Sequence, residues 1–203
     1  SYTSANFSGF KFGAEYGFGE QEKARDGRYM GVALNYDNGP LSASLGLDRQ
    51  NNVGLSVFGQ PAVATDLTSW QLGGGYNFGV AKLLSFYKQS KYKVIGGSDN
   101  VKLKTFNVGL TAPVGAAGEV RASYNHYRLS ADGGATPKAD NLSVGYVHNL
   151  SKRTALYGTY AYLKNKNKDG DNLGLQLNGA MPGAGLSDSG AQHGLQLGVR
   201  HAF

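Results

Sequence analysis

The sequence predicts an all-β protein: an antiparallel up-and-down transmembrane β-barrel with ten full strands after an opening stub. Three observations carry that reading. Apolar residues alternate with small or polar ones at a period of two, which is the period of a strand. In the final segment, HGLQLGVRHAF, Leu195, Leu197, Val199, His201 and Phe203 oppose Gly194, Gln196, Gly198, Arg200 and Ala202. The composition, with 31 Gly, 13 Tyr and 9 Phe but isoleucine only at Ile95, suits strands, tight turns and interfacial aromatics better than a packed aliphatic core. Connections alternate between short ones and long polar ones, so the two ends of the sheet are treated differently.

Residues 1–4 read as the tail of a strand, and a short turn at 5–9 leads into the first full strand. There Phe10, Phe12, Ala14, Tyr16 and Phe18 oppose Lys11, Gly13, Glu15 and Gly17. After a charged loop, Met30, Val32, Leu34 and Tyr36 alternate with Tyr29, Gly31, Ala33 and Asn35. Asp37-Asn38-Gly39-Pro40 is a hairpin signal, because Gly supplies the positive φ that tight β-turns require. It returns the chain into Leu41, Ala43, Leu45 and Leu47, set against Ser42, Ser44, Gly46 and Asp48, and a long connection is expected over residues 49–69.

Trp70, Leu72, Gly74 and Tyr76 then oppose Gln71, Gly73, Gly75 and Asn77. Residues 81–88 carry apolar side chains on both rows. The register that keeps Lys82 and Lys88 off the lipid puts Leu84 and Phe86 beside them. A polar loop over 89–100 precedes Phe106, Val108, Leu110 and Ala112, and Pro113, which cannot donate to a ladder, ends that run. Val120, Ala122 and Tyr124 oppose Glu119, Arg121, Ser123 and Asn125, and a loop over 129–140 leads to Leu142, Val144, Tyr146 and His148. A turn at 149–152 gives Thr154, Leu156, Gly158, Tyr160 and Tyr162, and the longest loop, 164–192, precedes the closing strand.

A tilted strand of about 9–11 residues crosses a bilayer, and only a closed barrel satisfies every backbone group there. The chain has no apolar run approaching the roughly 18 residues of a transmembrane helix. No charged-then-apolar signal peptide opens it, and its first residue, Ser1 rather than Met, is expected to follow processing or a cut. Alternation alone would also fit a soluble sandwich; the uneven loops, the outward Phe, Tyr and Trp, and the terminal Phe203 favour the barrel. The net charge of +6 is compatible with nucleic acid, a membrane surface or an anion path and does not choose among them. Without cysteine there is no disulfide, thiolate nucleophile or Cys-containing zinc site.

In a barrel, charges on the wet parity face the lumen. Those expected to line a pore are Lys11, Lys82, Lys88, Arg121 and Arg200 with Glu15, Asp48 and Glu119, five basic to three acidic. That ratio predicts a weak anion preference, although such charges can equally pair with neighbours and merely solvate the wall. No metal or cofactor is expected. His126, His148, His193 and His201 are scattered, with His148 and His201 on the apolar parity near strand ends. Asn165-Lys166-Asn167-Lys168-Asp169-Gly170 has calcium-loop spacing, but its twelfth position is Gln176 and no helices flank it, so a solvated loop is favoured. No nucleophile elbow or phosphate loop is present. The expectation is therefore passive diffusion of small hydrophilic solutes and ions, with no covalent step and no nucleic-acid partner. A structural or adhesive barrel and an outer-membrane acyl hydrolase stay open as alternatives.

Three blocks carry a family resemblance: YTSANFSGFKFGAEYGFGE (residues 2–20), VGYVHNLSKRTALYGTYAYLKN (144–165) and the ending GVRHAF (198–203). The Leu-Ser-Lys-Arg-Thr turn followed by Leu-Tyr is the most specific. Over essentially its whole length the chain resembles the C-terminal part of the trimeric, sixteen-stranded general porins of Gram-negative outer membranes, particularly those of β-proteobacteria. The resemblance implies an outer-membrane location, a homotrimer and contact with outer-membrane lipid. It also implies a single domain over residues 1–203 that lacks the family's first strands and its constriction loop. Leu195, Leu197, Val199, His201 and Phe203 resemble the terminal signal read by the barrel-assembly machinery, with His201 where many members carry Tyr.

Overall fold

The computed structural model describes residues 1–19, 26–55, 63–97, 100–131, 134, 136–166, 173–177 and 191–203. The strands are β1 (Tyr2–Thr3), β2 (Phe10–Gly17), β3 (Tyr29–Asn38), β4 (Leu41–Leu55), β5 (Val63–Asn77) and β6 (Lys82–Val94). They continue as β7 (Asn100–Val114), β8 (Gly118–Ala131), β9 (Lys138–Asn149), β10 (Thr154–Lys166) and β11 (Ala191–His201). They form one antiparallel sheet in sequence order, the stub plus ten strands that the alternation predicts. Among the described residues β1 pairs only with β2 and β11 only with β10.

Several strands run further than the alternation suggests. β4, β5 and β7 are each 15 residues long, so residues 49–55 and 63–69, expected in a connection, belong to the ladder. The same holds for residues 89–94, 129–131, 138–140 and 164–166, which continue β6, β8, β9 and β10. The reason is that ladder bonds are made by the backbone, whereas alternation is visible only where one face must be apolar. Beyond the apolar band the outward row turns polar, at Arg49, Asp66, Lys91, Lys102 and Lys138, and Asn51, Thr65, Ser69 and Ser90 are buried at that end. The β4–β5 register shifts between Gln50 and Val53, where Asn52 takes a positive φ of 45° and donates its N–H to Asp66 Oδ1 at 3.0 Å. Asn tolerates that left-handed conformation, and the shift is a bulge at the sheet's long-connection end.

The short turns form as their sequences indicate. Gly39, at φ 55°, links β3 to β4. In the Leu-Ser-Lys-Arg-Thr turn, Ser151 Oγ accepts the N–H groups of Arg153 and Thr154 at 3.2 and 3.0 Å. A hydroxyl that takes two backbone donors replaces ladder partners the turn cannot supply, which explains Ser at that position.

Register resolves the strand with two apolar rows. Lys82 stands opposite Asn77 and Thr111, while Leu83 stands opposite Tyr76 and Leu110. The face holding Lys82 and Lys88 is therefore the polar one, as expected. The opposite face exposes Phe12, Val32, Leu45, Leu72, Leu110, Leu142, Leu156 and Leu197, the last at 74%. Among the described residues only Ala139, Ala155, Leu163 and Leu173 are buried hydrophobics. A sheet whose large apolar side chains mostly point outward is matched to a lipid exterior, not to a protein core.

Candidate channel wall

The cross-strand registers gather the predicted wall residues on one face. Glu15 and Asp48 lie in one row, each opposite Gly31. Lys88 lies opposite Gln71 and Thr105, and Lys82 and Arg121 both stand opposite Thr111. Arg121 and Glu119 are two residues apart on β8, and Arg200 stands opposite Ala155 on that same face. Lys11, opposite Asn35, completes the set. One residue escapes sequence reading: Asp37, opposite Ser42, shares this face although the hairpin signal places it in the turn. Its parity with Asn35, two residues earlier, is the signal that could have found it.

These charges are segregated along the sheet. β2, β3 and β4 carry Lys11 with Glu15, Asp37 and Asp48, whereas β6, β8 and β11 carry Lys82, Lys88, Arg121 and Arg200 with Glu119. Arg121 Nε donates to Glu119 Oε1 at 2.5 Å, so Glu119 is engaged by Arg121. Two of these basic residues, Arg121 and Arg200, line a recess together with Ser123, Ser143, Tyr157 and Thr159. Beside it runs a ladder of amides: Asn107 Nδ2 donates to Asn125 Oδ1 at 2.7 Å, and Asn125 Nδ2 to Asn141 Oδ1 at 3.1 Å. Three amide side chains from β7, β8 and β9 are thereby joined in one chain of hydrogen bonds.

Residues 173–177 lie on this inner face, which the sequence does not reveal. Leu173 is buried with Ala139 and Leu163, and Leu103, Tyr127, Leu129, Leu175 and Leu177 pack around them. Asn165 Nδ2 donates to the Leu175 carbonyl at 2.9 Å, and Asn165 Oδ1 accepts the Leu175 N–H at 3.2 Å. Gln192 Oε1 accepts the Leu177 N–H at 3.1 Å. By alternation Leu103, Leu129 and Leu163 are only apolar residues on a wet parity; their partner comes from the β10–β11 connection. Asn165, the first position of the calcium-like spacing, is thus committed to Leu175, while residues 167–170 of that spacing lie outside the described residues.

The histidines are more uniform than the alternation indicates, since all four lie on the outward parity. His126 Nδ1 is 2.6 Å from Asp140 Oδ1, and His148 and His193 meet the hydroxyls of Tyr146 and Tyr160 at 3.1 and 2.6 Å. His201 Nδ1 is 2.9 Å from Thr154 Oγ1 and its ring meets Phe203 edge-on at 5.0 Å. Leu195, Leu197, Val199 and His201 stand opposite Tyr160, Gly158, Leu156 and Thr154, so the terminal row is continuous with the outward face of β10.

Comparison with known proteins agrees with this architecture. The family model described as Gram-negative porin matches residues 1–168. Outer membrane porin protein 32 of Delftia acidovorans is 46% identical over 207 residues, covering 100% of this chain and 55% of the relative. An outer membrane porin protein of Bordetella pertussis is 31% identical, covering 81% of this chain and 51% of the relative. The chain therefore spans about half the length of the curated relatives it matches. Among solved structures, the anion-selective porin from Comamonas acidovorans superposes with a TM-score of 0.82 at 44% identity, covering 100% of this chain and 58% of that one. OmpT, an outer membrane protein of Vibrio cholerae, shares the fold with a TM-score of 0.76 at 19% identity, covering 98% of this chain and 62% of that one. An outward apolar belt, an inward charged wall and these matches together assign the chain to the Gram-negative porin family, and so to the outer membrane.

Proposed function

We propose that this chain forms part of the wall of a water-filled outer-membrane channel through which small hydrophilic solutes and ions diffuse passively, with anions favoured. The observation that carries the reading is the inner arc of Lys82, Lys88, Arg121 and Arg200, on which Glu119 is the one acid among the described residues of β6 to β11. A solute passing that arc meets a net positive surface, while Glu15, Asp37 and Asp48 sit strands away. Such lateral separation creates a field across the water path that attracts anions to one side. A relative of similar fold is named an anion-selective porin, which supports the same sign.

Two further parts belong to this reading. Residues 1–203 form a single domain whose edge strands, β1 and β11, must be paired in the membrane, because unpaired edges in hydrocarbon leave backbone groups unsatisfied. The assembled barrel is a homotrimer, and the terminal row ending at Phe203 is read by the barrel-assembly machinery. The mechanism needs no bond made or broken: the wall contributes width and field only.

Planar-bilayer recording under a salt gradient tests the channel. Stable conductance steps with a reversal potential on the anion side are expected. An inserted protein that does not conduct, or one that reverses on the cation side, overturns the proposal.

A further inference from the structure

Two large apolar side chains face water on the inner wall. Leu84 and Phe86 stand opposite Gly75 and Gly73, in the inward row that begins at Lys82 and reaches Lys88, and each is 39% exposed. Exposing a leucine and a phenylalanine to water is unfavourable, and the passage of simple ions gains nothing from it. The inward row of β6 therefore reads cation, apolar, apolar, cation, with successive members about 6.8 Å apart along the strand.

The surroundings keep this row open. A Cβ at Gly75 would come within 2.7 Å of Leu84 Cδ2, so Leu84 lies across a position that has no side chain of its own. On the other flank, a Cβ at Gly109 would meet nothing nearer than 3.7 Å. Leu84 is shared by two inward recesses of about 560 and 520 Å³, and Phe86 lines the second. The lining of both is more apolar than polar.

The charges at the two ends of the row are available to a ligand. Lys82 has Asn77 and Thr111 as its cross-strand neighbours, and Lys88 has Gln71 and Thr105, all of them neutral. Among the described residues no ion pair engages either lysine.

These features together select a class of solute. A chloride ion uses the lysines but not Leu84 or Phe86, and a neutral arene uses the apolar pair but not the lysines. A planar ring bearing a carboxylate uses both. Its ring rests on Phe86 and Leu84, where ring pairing adds attraction beyond the area covered. Its carboxylate meets an ammonium group on a long flexible stem one step along the row. We propose that the inward row Lys82, Leu84, Phe86 and Lys88 is a transit site for small aromatic carboxylates. A cation at each end lets the carboxylate pass from one lysine to the other while the ring crosses the apolar pair. The row faces the water path, so the solute is held weakly enough to leave, as conduction requires. This inference rests on the channel reading and names a solute class for it.

The test is single-channel recording of the full chain in planar bilayers under a potassium chloride gradient, with benzoate, cyclohexanecarboxylate, acetate or benzamide added to one side. Benzoate should interrupt the chloride current at concentrations roughly two- to ten-fold lower than cyclohexanecarboxylate, the range that pairing of two rings supplies. Acetate, which lacks the ring, and benzamide, which lacks the charge, should interrupt it least. Phe86→Leu keeps an apolar side chain on the strand and should abolish the preference for benzoate over cyclohexanecarboxylate, whereas Phe86→Tyr should retain it. Lys82→Gln combined with Lys88→Gln should abolish the preference for benzoate over benzamide. A chloride current that reverses on the anion side, with benzoate no more effective than acetate, overturns this site and leaves the channel reading standing. Absence of any current overturns both. A ring preference that survives Phe86→Leu also overturns the site.

Discussion

Asn165 holds Leu175 by both of its backbone polar groups, with Nδ2 donating to the carbonyl at 2.9 Å and Oδ1 accepting the N–H at 3.2 Å. A side-chain amide can mimic a strand in this way, pairing a non-strand segment to the wall as a ladder would. Asn165 is only 2% exposed, so neither bond has water as a ready substitute.

Asn165→Ala should release residues 173–177 from the inner face. Two bonds are lost and the Leu175 N–H is left unpartnered, a cost of roughly 1–3 kcal/mol, while the Leu175 carbonyl keeps Gln192 Nε2 at 3.4 Å. Single-channel conductance should rise, and the β10–β11 connection should become more susceptible to protease. Unchanged conductance would show that the segment does not narrow the water path.

Glu119→Gln should strengthen anion preference, because it frees Arg121 from its partner at 2.5 Å. Arg200→Gln should weaken it. An interaction on the order of 1 kcal/mol at contact distance in water implies a change of up to about five-fold in the anion-to-cation permeability ratio. Reversal potentials of the two variants should move in opposite directions.

Leu197→Arg should destabilise the folded barrel. Leu197 lies opposite Gly158 on the outward face and is 74% exposed to what surrounds the protein. Arg facing lipid costs about 2–4 kcal/mol near the bilayer centre. Reversible unfolding in urea with vesicles present measures it, and a soluble sandwich would instead tolerate this change.

Phe203→Ala should lower the yield of assembled protein in the outer membrane without comparable loss of stability in refolded samples. Phe203 is the last residue and lies beyond the β11 ladder, its ring meeting only His201 among the described aromatic contacts. Comparing assembled yield in cells with the unfolding midpoint of purified protein separates a recognition role from a packing role.

The face of the sheet that each charge takes is legible wherever alternation is regular. Lys11, Glu15, Asp48, Glu119, Arg121 and Arg200 can be placed from parity alone, and so can the terminal row ending at Phe203. Even the ambiguous pair Lys82 and Lys88 follows once burying a charge in lipid is counted as costly. Asp37 escapes because a hairpin signal and a strand end share residues. The extra length of β4 and β5 escapes because polar residues above the belt carry no period to read.

The sequence by itself determined which side of each strand meets lipid and which meets water, because side-chain direction alternates residue by residue and needs no distant partner. The tertiary structure decided what stands beside what. It brought Leu173 and Leu175 onto Leu163 and Asn165, and it lined up Lys104, Arg128, Lys138 and Lys166 from four strands into one row. Those relations depend on ladder register, which backbone hydrogen bonds fix between segments far apart in the chain, and no local pattern records it.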